Sequence, residues 1–232
     1  MLRFKGLQKT TLLDYPGEVA CTLFVGGCDF RCPYCYNPDL VFNRDTGVEI
    51  SEAEALQFLR ERKNFLNGVC LTGGEPLLYP EILDFSREAK ALGYKVKVDT
   101  NGYHPELLQK LIEQKLVDYV AMDIKAPLDR YEEVVRVEVD REEIKKSVEI
   151  IKGSGIENEF RTTVFSGLNS SDFEKIGRWL SGSKKYCLQA VKLNVRLLDE
   201  NFAKEHRPID AEYLHSIAEK IRSYFNKVEV RG

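Results

Sequence analysis

At 232 residues the chain has room for one large domain or two small ones, each able to bury a core. With 43% hydrophobic and 31% charged residues it has the make-up of an ordinary soluble globular protein. Lys and Arg number 34 against 37 Asp and Glu, a net charge of −3, so no basic footprint argues for nucleic acid. No apolar run approaches the length of a membrane span, and the start, Met-Leu-Arg-Phe-Lys-Gly, has no apolar leader core. A cytoplasmic protein is expected, where thiols stay reduced and clustered cysteines mean metal or catalysis.

From residue 19 onward short apolar runs alternate with helical patterns. The runs are 19–25, 68–72, 95–98, 119–122, 159–164 and 188–193. Most are β-branched, apolar and too short for helices, as expected of parallel strands covered on both faces. Ser51-Glu-Ala-Glu54 and Ser171-Asp-Phe-Glu174 read as capping boxes, and Pro105 suits a first helical position. Gly93 and Gly153 suit the position just past a helix. Ile144, Val148 and Ile151 share one helical stripe, and Phe173, Ile176 and Leu180 another. A last helix is predicted over 211–225, then a short strand at 227–230.

Six βα units in series predict right-handed crossovers and an α/β fold with a parallel sheet. Eight units would close a full barrel of about 250 residues. A partial (β/α)6 barrel is therefore expected, as a single domain over 1–232. Its core spans about 15–195, and an extension of about 196–232 carries the last helix and short strand.

Within this frame the segment Gly26-Gly-Cys-Asp-Phe-Arg-Cys-Pro-Tyr-Cys-Tyr-Asn37 stands out. Cys28, Cys32 and Cys35 bring three thiolates around one metal centre, and no Cys or His follows nearby to supply a fourth. A structural zinc site wants four closed ligands, and ferredoxin runs also bring four cysteines. Three thiolates on a cubane leave one iron free for a ligand that is not protein, which is a catalytic arrangement. Buried core cysteines are the competing reading, but a loop of Gly, Asp, Arg and Pro is poor core material. Cys21, Cys70 and Cys187 each lie in or beside a short apolar run and read as core packing.

The loop resembles the C-x3-C-x-aromatic-C signature of the radical S-adenosylmethionine (SAM) superfamily, with Tyr34 as the aromatic. The resemblance implies a 4Fe–4S cluster on Cys28, Cys32 and Cys35, with SAM on the open iron. Reductive cleavage of SAM to a 5′-deoxyadenosyl radical would follow. Gly73-Gly74-Glu75-Pro76 resembles the superfamily's GGEP motif, which receives the SAM amino group through backbone carbonyls and the Glu side chain. Two glycines let backbone approach a ligand closely.

Asp99-Thr100-Asn101-Gly102 and Asp123-Ile124-Lys125 resemble turns of the glycyl-radical-enzyme activase branch. That likeness implies a monovalent cation, K⁺ or Na⁺, at Asp99, Thr100 and Asp123 beside the SAM carboxylate, with Lys125 in the SAM or substrate site. Asn-Gly is also a common tight turn and Asp a common N-cap. Arg161 matches an activase arginine that reaches SAM. Leu188, Gln189 and Val191 are expected to line the adenine, where Lys192 or Asn194 stands in place of the branch's histidine. Thr11-Leu-Leu-Asp14-Tyr-Pro-Gly17 resembles the branch's lead-in segment. With the Cys-Pro-Tyr-Cys-Tyr-Asn-Pro run it looks closest to activating proteins of anaerobic ribonucleoside-triphosphate reductase.

The resemblance thus implies an oxidoreductase that abstracts a glycine hydrogen on a glycyl radical enzyme. Its electron would come from a flavodoxin- or ferredoxin-type donor. A radical SAM enzyme on a small molecule, such as a 7-carboxy-7-deazaguanine synthase, is the first alternative, and a non-catalytic metal or iron–sulfur module the second. His104, His206 and His215 read as surface residues, and the charge-dense stretch 129–146 as a solvated loop and helix face.

Overall fold

The computed structural model describes residues 2–45 and 47–231. In chain order these form β1 (Arg3–Thr11), β2 (Ala20–Val25), α1 (Pro38–Val41), β3 (Ile50–Ser51), α2 (Glu52–Arg62), β4 (Gly68–Gly73), α3 (Ile82–Ala91) and β5 (Lys95–Thr100). There follow α4 (Pro105–Glu113), β6 (Tyr119–Asp123), α5 (Tyr131–Val135), α6 (Arg141–Gly153), β7 (Glu157–Val164), α7 (Ser170–Trp179), β8 (Lys185–Ala190), α8 (Phe202–Glu205), α9 (Ala211–Ile221) and β9 (Lys227–Arg231).

All nine described strands join one sheet in the order β3-β1-β2-β4-β5-β6-β7-β8-β9. From β2 to β9 every pairing is parallel, whereas β1 lies antiparallel to β2 and β3. The six expected strands are all present. The C-terminal strand, expected in a separate extension, continues the parallel sheet as a seventh member. The antiparallel β1 went unforeseen because Arg3-Phe-Lys-Gly-Leu-Gln-Lys-Thr-Thr11 lacks the apolar run that marked the others. The sheet ends on β3 and β9 without closing, as a partial barrel requires.

The two faces of the sheet differ. Side chains alternate across a strand. Leu23, Val25, Val69, Leu71, Val96, Val98, Val120, Met122, Phe160 and Leu188 turn outward into the main apolar core under the helices. The opposite, inner face is polar in its middle, and here the expectation of strands apolar on both sides fails. At its floor Tyr15, Ala20, Tyr119 and Ala121 form a small apolar plug, with the two tyrosine rings edge to face at 5.9 Å. The lead-in segment therefore seals one end of the barrel.

Helix ends follow their caps. Ser51 accepts from Glu54 N while the Glu54 side chain accepts from Ser51 N, the expected capping box. Before α7 the box lies two residues earlier than expected: Asn169 caps and Asp172 reciprocates. Likewise α6 runs through Gly153, and Gly155 takes the left-handed conformation at φ +74°. Strand β8 begins three residues before the expected 188, because Lys185 joins the ladder beside Lys227 of β9 by its backbone whatever its side chain.

Candidate active site

The cysteine loop leaves the C-terminal end of β2 and is held from several sides. Gly27 N donates to Leu40 O at 2.7 Å, and Arg31 N to Val135 O at 2.9 Å. The Arg31 guanidinium donates to Cys28 O at 2.6 Å and Phe30 O at 2.9 Å. Asp29 meets His104 Nε2 at 2.9 Å, so His104, expected as a surface residue, braces the loop instead. From the C-terminal side, Leu198 N donates to Cys35 O at 2.8 Å and Asp199 N to Pro33 O at 3.0 Å. Tyr34 packs in a ring cluster with Phe165 and Phe202, and His206 stacks behind them.

Cys28, Cys32 and Cys35 are unbridged thiols. Burial pushes Cys28 up to about 12 and Cys32 up to about 11, and raises Cys35. The nearby Lys125 ammonium opposes that rise at all three. A thiol so placed keeps its proton until a metal replaces it.

The turn after β4 docks against this loop. Gly74 N donates to Val25 O at 2.9 Å and Glu75 N to Gly27 O at 2.7 Å. A Cβ on Gly74 would stand 1.8 Å from Gly27 O, and one on Gly73, at φ +114°, 2.6 Å from Val25 N and O. The close approach that these glycines permit is thus to the cysteine loop. Glu75 turns into the protein. Its side chain is 1% exposed and accepts from Leu77 N at 3.0 Å, Thr100 Oγ1 at 2.8 Å and Asn101 N at 2.6 Å. Burial lifts its carboxyl to about 7 against these bonds. With both oxygens engaged inside the protein, Glu75 is a strut of the rim.

Asp99 and Asp123 end neighbouring strands and face each other across Arg161. The guanidinium donates from Nη1 to Asp99 Oδ2 at 3.1 Å and from Nε to Asp123 Oδ1 at 2.8 Å. Lys125 Nζ pairs with Asp123 Oδ2 at 3.0 Å, and the 1%-exposed Lys97 pairs with Asp99 Oδ1. Burial alone would raise Asp123, but Arg161 and Lys125 hold it well below the usual carboxylate range. Thr100 donates its hydroxyl to Glu75 and accepts from Gly102 N at 3.0 Å. At the expected cation site, Asp99, Thr100 and Asp123 are met by protein groups: Lys97, Arg161 and Lys125 face the two carboxylates, and the threonine donates to Glu75.

Asn101 is 5% exposed, with Nδ2 3.9 Å from Cys28 Sγ, which places this turn against the cluster loop. Pro76 opens a short 3₁₀ turn behind Glu75. Gln189 is half-buried on the inner face beside Thr163 and Arg231 in register. Val191 is buried in the main apolar cluster and donates its N–H to Val164 O at 3.0 Å. Leu188 points to the helices, so it cannot line a ligand on the inner face.

The radical SAM superfamily profile matches residues 22–180. The chain belongs to the radical SAM superfamily. A Methanocaldococcus jannaschii protein assigned as a glycyl-radical enzyme activating enzyme is 33% identical over 233 residues, covering 97% of this chain and 94% of that one. The pyruvate formate-lyase-activating enzyme of Clostridium pasteurianum is 35% identical over 130 residues, 54% of this chain and 53% of its own length. The structure of Streptococcus suis SuiB bound to S-adenosylmethionine superposes with a TM-score of 0.69 at 14% identity, over 91% of this chain and 52% of that one. That likeness is one of fold.

The residues of this radical SAM enzyme fit the cofactors of its superfamily. Among the described residues no three His, Cys, Asp or Glu close on a single ion. A cubane spreads its thiolates over separate irons, and three free thiols in one pinned loop suit it. The Tyr34 hydroxyl is buried beside the Cys32 thiol, at the edge of the same site. Sequence reading missed Lys97, the Asp29–His104 brace and the Leu198–Asp199 clamp. Lys97 carried a signal: alternation along Lys95-Val-Lys-Val-Asp99 sets it on the face of Asp99.

Proposed function

We propose that this radical SAM enzyme activates a glycyl radical enzyme. The observation that carries the reading is the 33% identity to the M. jannaschii relative across 97% of the chain. When bound, the cluster and SAM supply a 5′-deoxyadenosyl radical, which takes one hydrogen atom from a glycine of the partner protein. Cys28, Cys32 and Cys35 would hold the cluster, and Lys125 favours their thiolate forms. The Gly73–Gly74 backbone, drawn against Gly27, would receive the SAM amino group. Arg161 and Lys125 each keep donor capacity for a carboxylate, while Tyr34, Asn101, Pro76, Gln189 and Val191 line or back the same rim. The unclosed side of the sheet between β3 and β9 suits the access of a peptide loop.

One electron enters per SAM, so a flavodoxin- or ferredoxin-type carrier is the donor class this chemistry needs. Among the described residues no helix is long and apolar enough to cross a membrane. Six free cysteines suit a reducing, cytoplasmic setting. The partner we favour is an anaerobic ribonucleotide reductase, on the likeness of the lead-in segment and the Cys-Pro-Tyr-Cys-Tyr-Asn-Pro run.

The test is anaerobic incubation of reduced enzyme, SAM and purified partner. A stable glycyl doublet by EPR, with 5′-deoxyadenosine formed alongside, is the expected result. A doublet on a pyruvate formate-lyase but not on the reductase would keep the activase and change its partner. Deoxyadenosine rising only with a small heterocyclic substrate, and no protein radical, would favour the small-molecule alternative.

A further inference from the structure

We propose that Lys97 supplies the fixed positive charge for which related sites would recruit a monovalent metal ion, so that SAM seats here without K⁺ or Na⁺. The proposal rests on the SAM site and not on the identity of the protein substrate. Lys97 lies two residues before Asp99 on the same face of β5, and its side chain is 1% exposed. Its ammonium pairs with Asp99 Oδ1, stands 3.7 Å from Cys70 Sγ on β4 and lies 5.7 Å from the ring centre of Tyr119 on β6. The lysine is built into the inner wall.

The oxygen accounting leaves a metal ion little to bind. Asp99 Oδ1 faces Lys97; Asp99 Oδ2 faces Arg161 and, at 3.5 Å, the Thr72 hydroxyl. Asp123 Oδ1 faces Arg161, and its Oδ2 faces Lys125. Thr100, the third expected ligand, is committed to Glu75. The next acid on the inner wall, Asp14, accepts from Thr22 Oγ1 at 2.6 Å and borders the same Cys70. Asp99 is thus met by Lys97 and Arg161, and Asp123 by Arg161 and Lys125. A hard monovalent ion would have to displace an ammonium from a buried pair, and breaking such pairs is costly.

Lys97 touches no reacting atom in this reading. It is a positioning residue: it holds Asp99, Asp99 holds Arg161, and Arg161 is aimed at the rim. Removing the ammonium would leave Asp99 Oδ1 without its partner, and a small metal ion is the simplest species to take that place.

The experiment compares chloride salts of K⁺, Na⁺ and tetramethylammonium at constant ionic strength, on the anaerobically reconstituted enzyme. Melting temperature and SAM affinity by equilibrium dialysis are read in each. Wild type should melt alike in all three and bind SAM within about twofold. Lys97→Met should lose roughly tenfold in SAM affinity in tetramethylammonium, with saturable recovery of affinity and melting temperature on adding K⁺ or Na⁺. Lys97→Arg should remain indifferent to the salt. A saturable gain by wild type in K⁺ or Na⁺, in either reading, overturns the proposal. So does a Lys97→Met enzyme that binds SAM normally in tetramethylammonium. The melting comparison needs no SAM, and the wild-type arm needs no variant. Failure of the SAM site, or of Lys97→Met to fold, therefore stays separate from failure of the lysine assignment.

Discussion

Glu75 Oε2 accepts the backbone N–H of Asn101 at 2.6 Å, across the gap between the turns that follow β4 and β5. Because Glu75 N also donates to Gly27 O, three successive rim turns (cysteine loop, Gly-Gly turn and Asp99–Gly102 turn) are one hydrogen-bonded unit. The carboxylate is the tie.

Replacing Glu75 by Ala should therefore act on stability first. It strands the buried N–H groups of Leu77 and Asn101, a cost of about 3 kcal/mol. Urea denaturation should show a lower midpoint with an unchanged slope. A variant as stable as wild type that nonetheless loses SAM binding would return Glu75 to the role of a ligand.

Iron content should follow the three loop cysteines and no others. Ala at Cys28, Cys32 or Cys35 should abolish the reduced-cluster EPR signal, whereas Ala at Cys21 or Cys187 should keep iron and sulfide at wild-type levels. Zinc in stoichiometric amount after anaerobic purification would refute the cluster.

The sequence carried the cluster, the rim motifs and six strands because each has a local signature: spacing, paired glycines, apolar runs. What it did not carry lies in long-range pairing. Nothing near Glu75 says that its oxygens will be met by Thr100 and Asn101, twenty-five residues on, and so a buried tie read as a ligand. Nor does anything near Asp99 or Asp123 say that a guanidinium from β7 will join them. His104 looked idle for the same reason, its partner Asp29 being 75 positions away.

Arg161 should prove structural as well as functional. Arg161→Leu leaves Asp99 and Asp123 facing one another partly buried, with a loss of about 3 kcal/mol. Arg161→Lys should recover part of the stability but not the two-armed geometry. Equal thermal stability of wild type and Arg161→Leu would show that the two acids do not depend on the guanidinium.

Acid sensitivity should expose the lower network. Glu159 is 1% exposed and takes two bonds from Arg231, at 3.1 and 2.7 Å, and one contact from Lys185 at 3.0 Å. Burial would raise it, but Arg231, Arg161 and Lys185 hold it near 2 against an ordinary 4.5. The folded value is depressed, so its contribution is complete above 4.5 and fades as pH falls toward 2. Wild type should exceed Glu159→Gln by about 2 kcal/mol at neutral pH, with the gap closing through that window. A gap independent of pH would mean that the charge of Glu159 is not what binds β9 to β7.

The clamp from Leu198 and Asp199 onto Cys35 and Pro33 sets an order of events during synthesis. The cysteines are translated early, but the backbone that fixes their loop is made more than a hundred and fifty residues later. A nascent chain holds its thiols in an unfinished cradle until residue 199 has emerged. Iron arriving before then would meet a loop whose last clamp has yet to form.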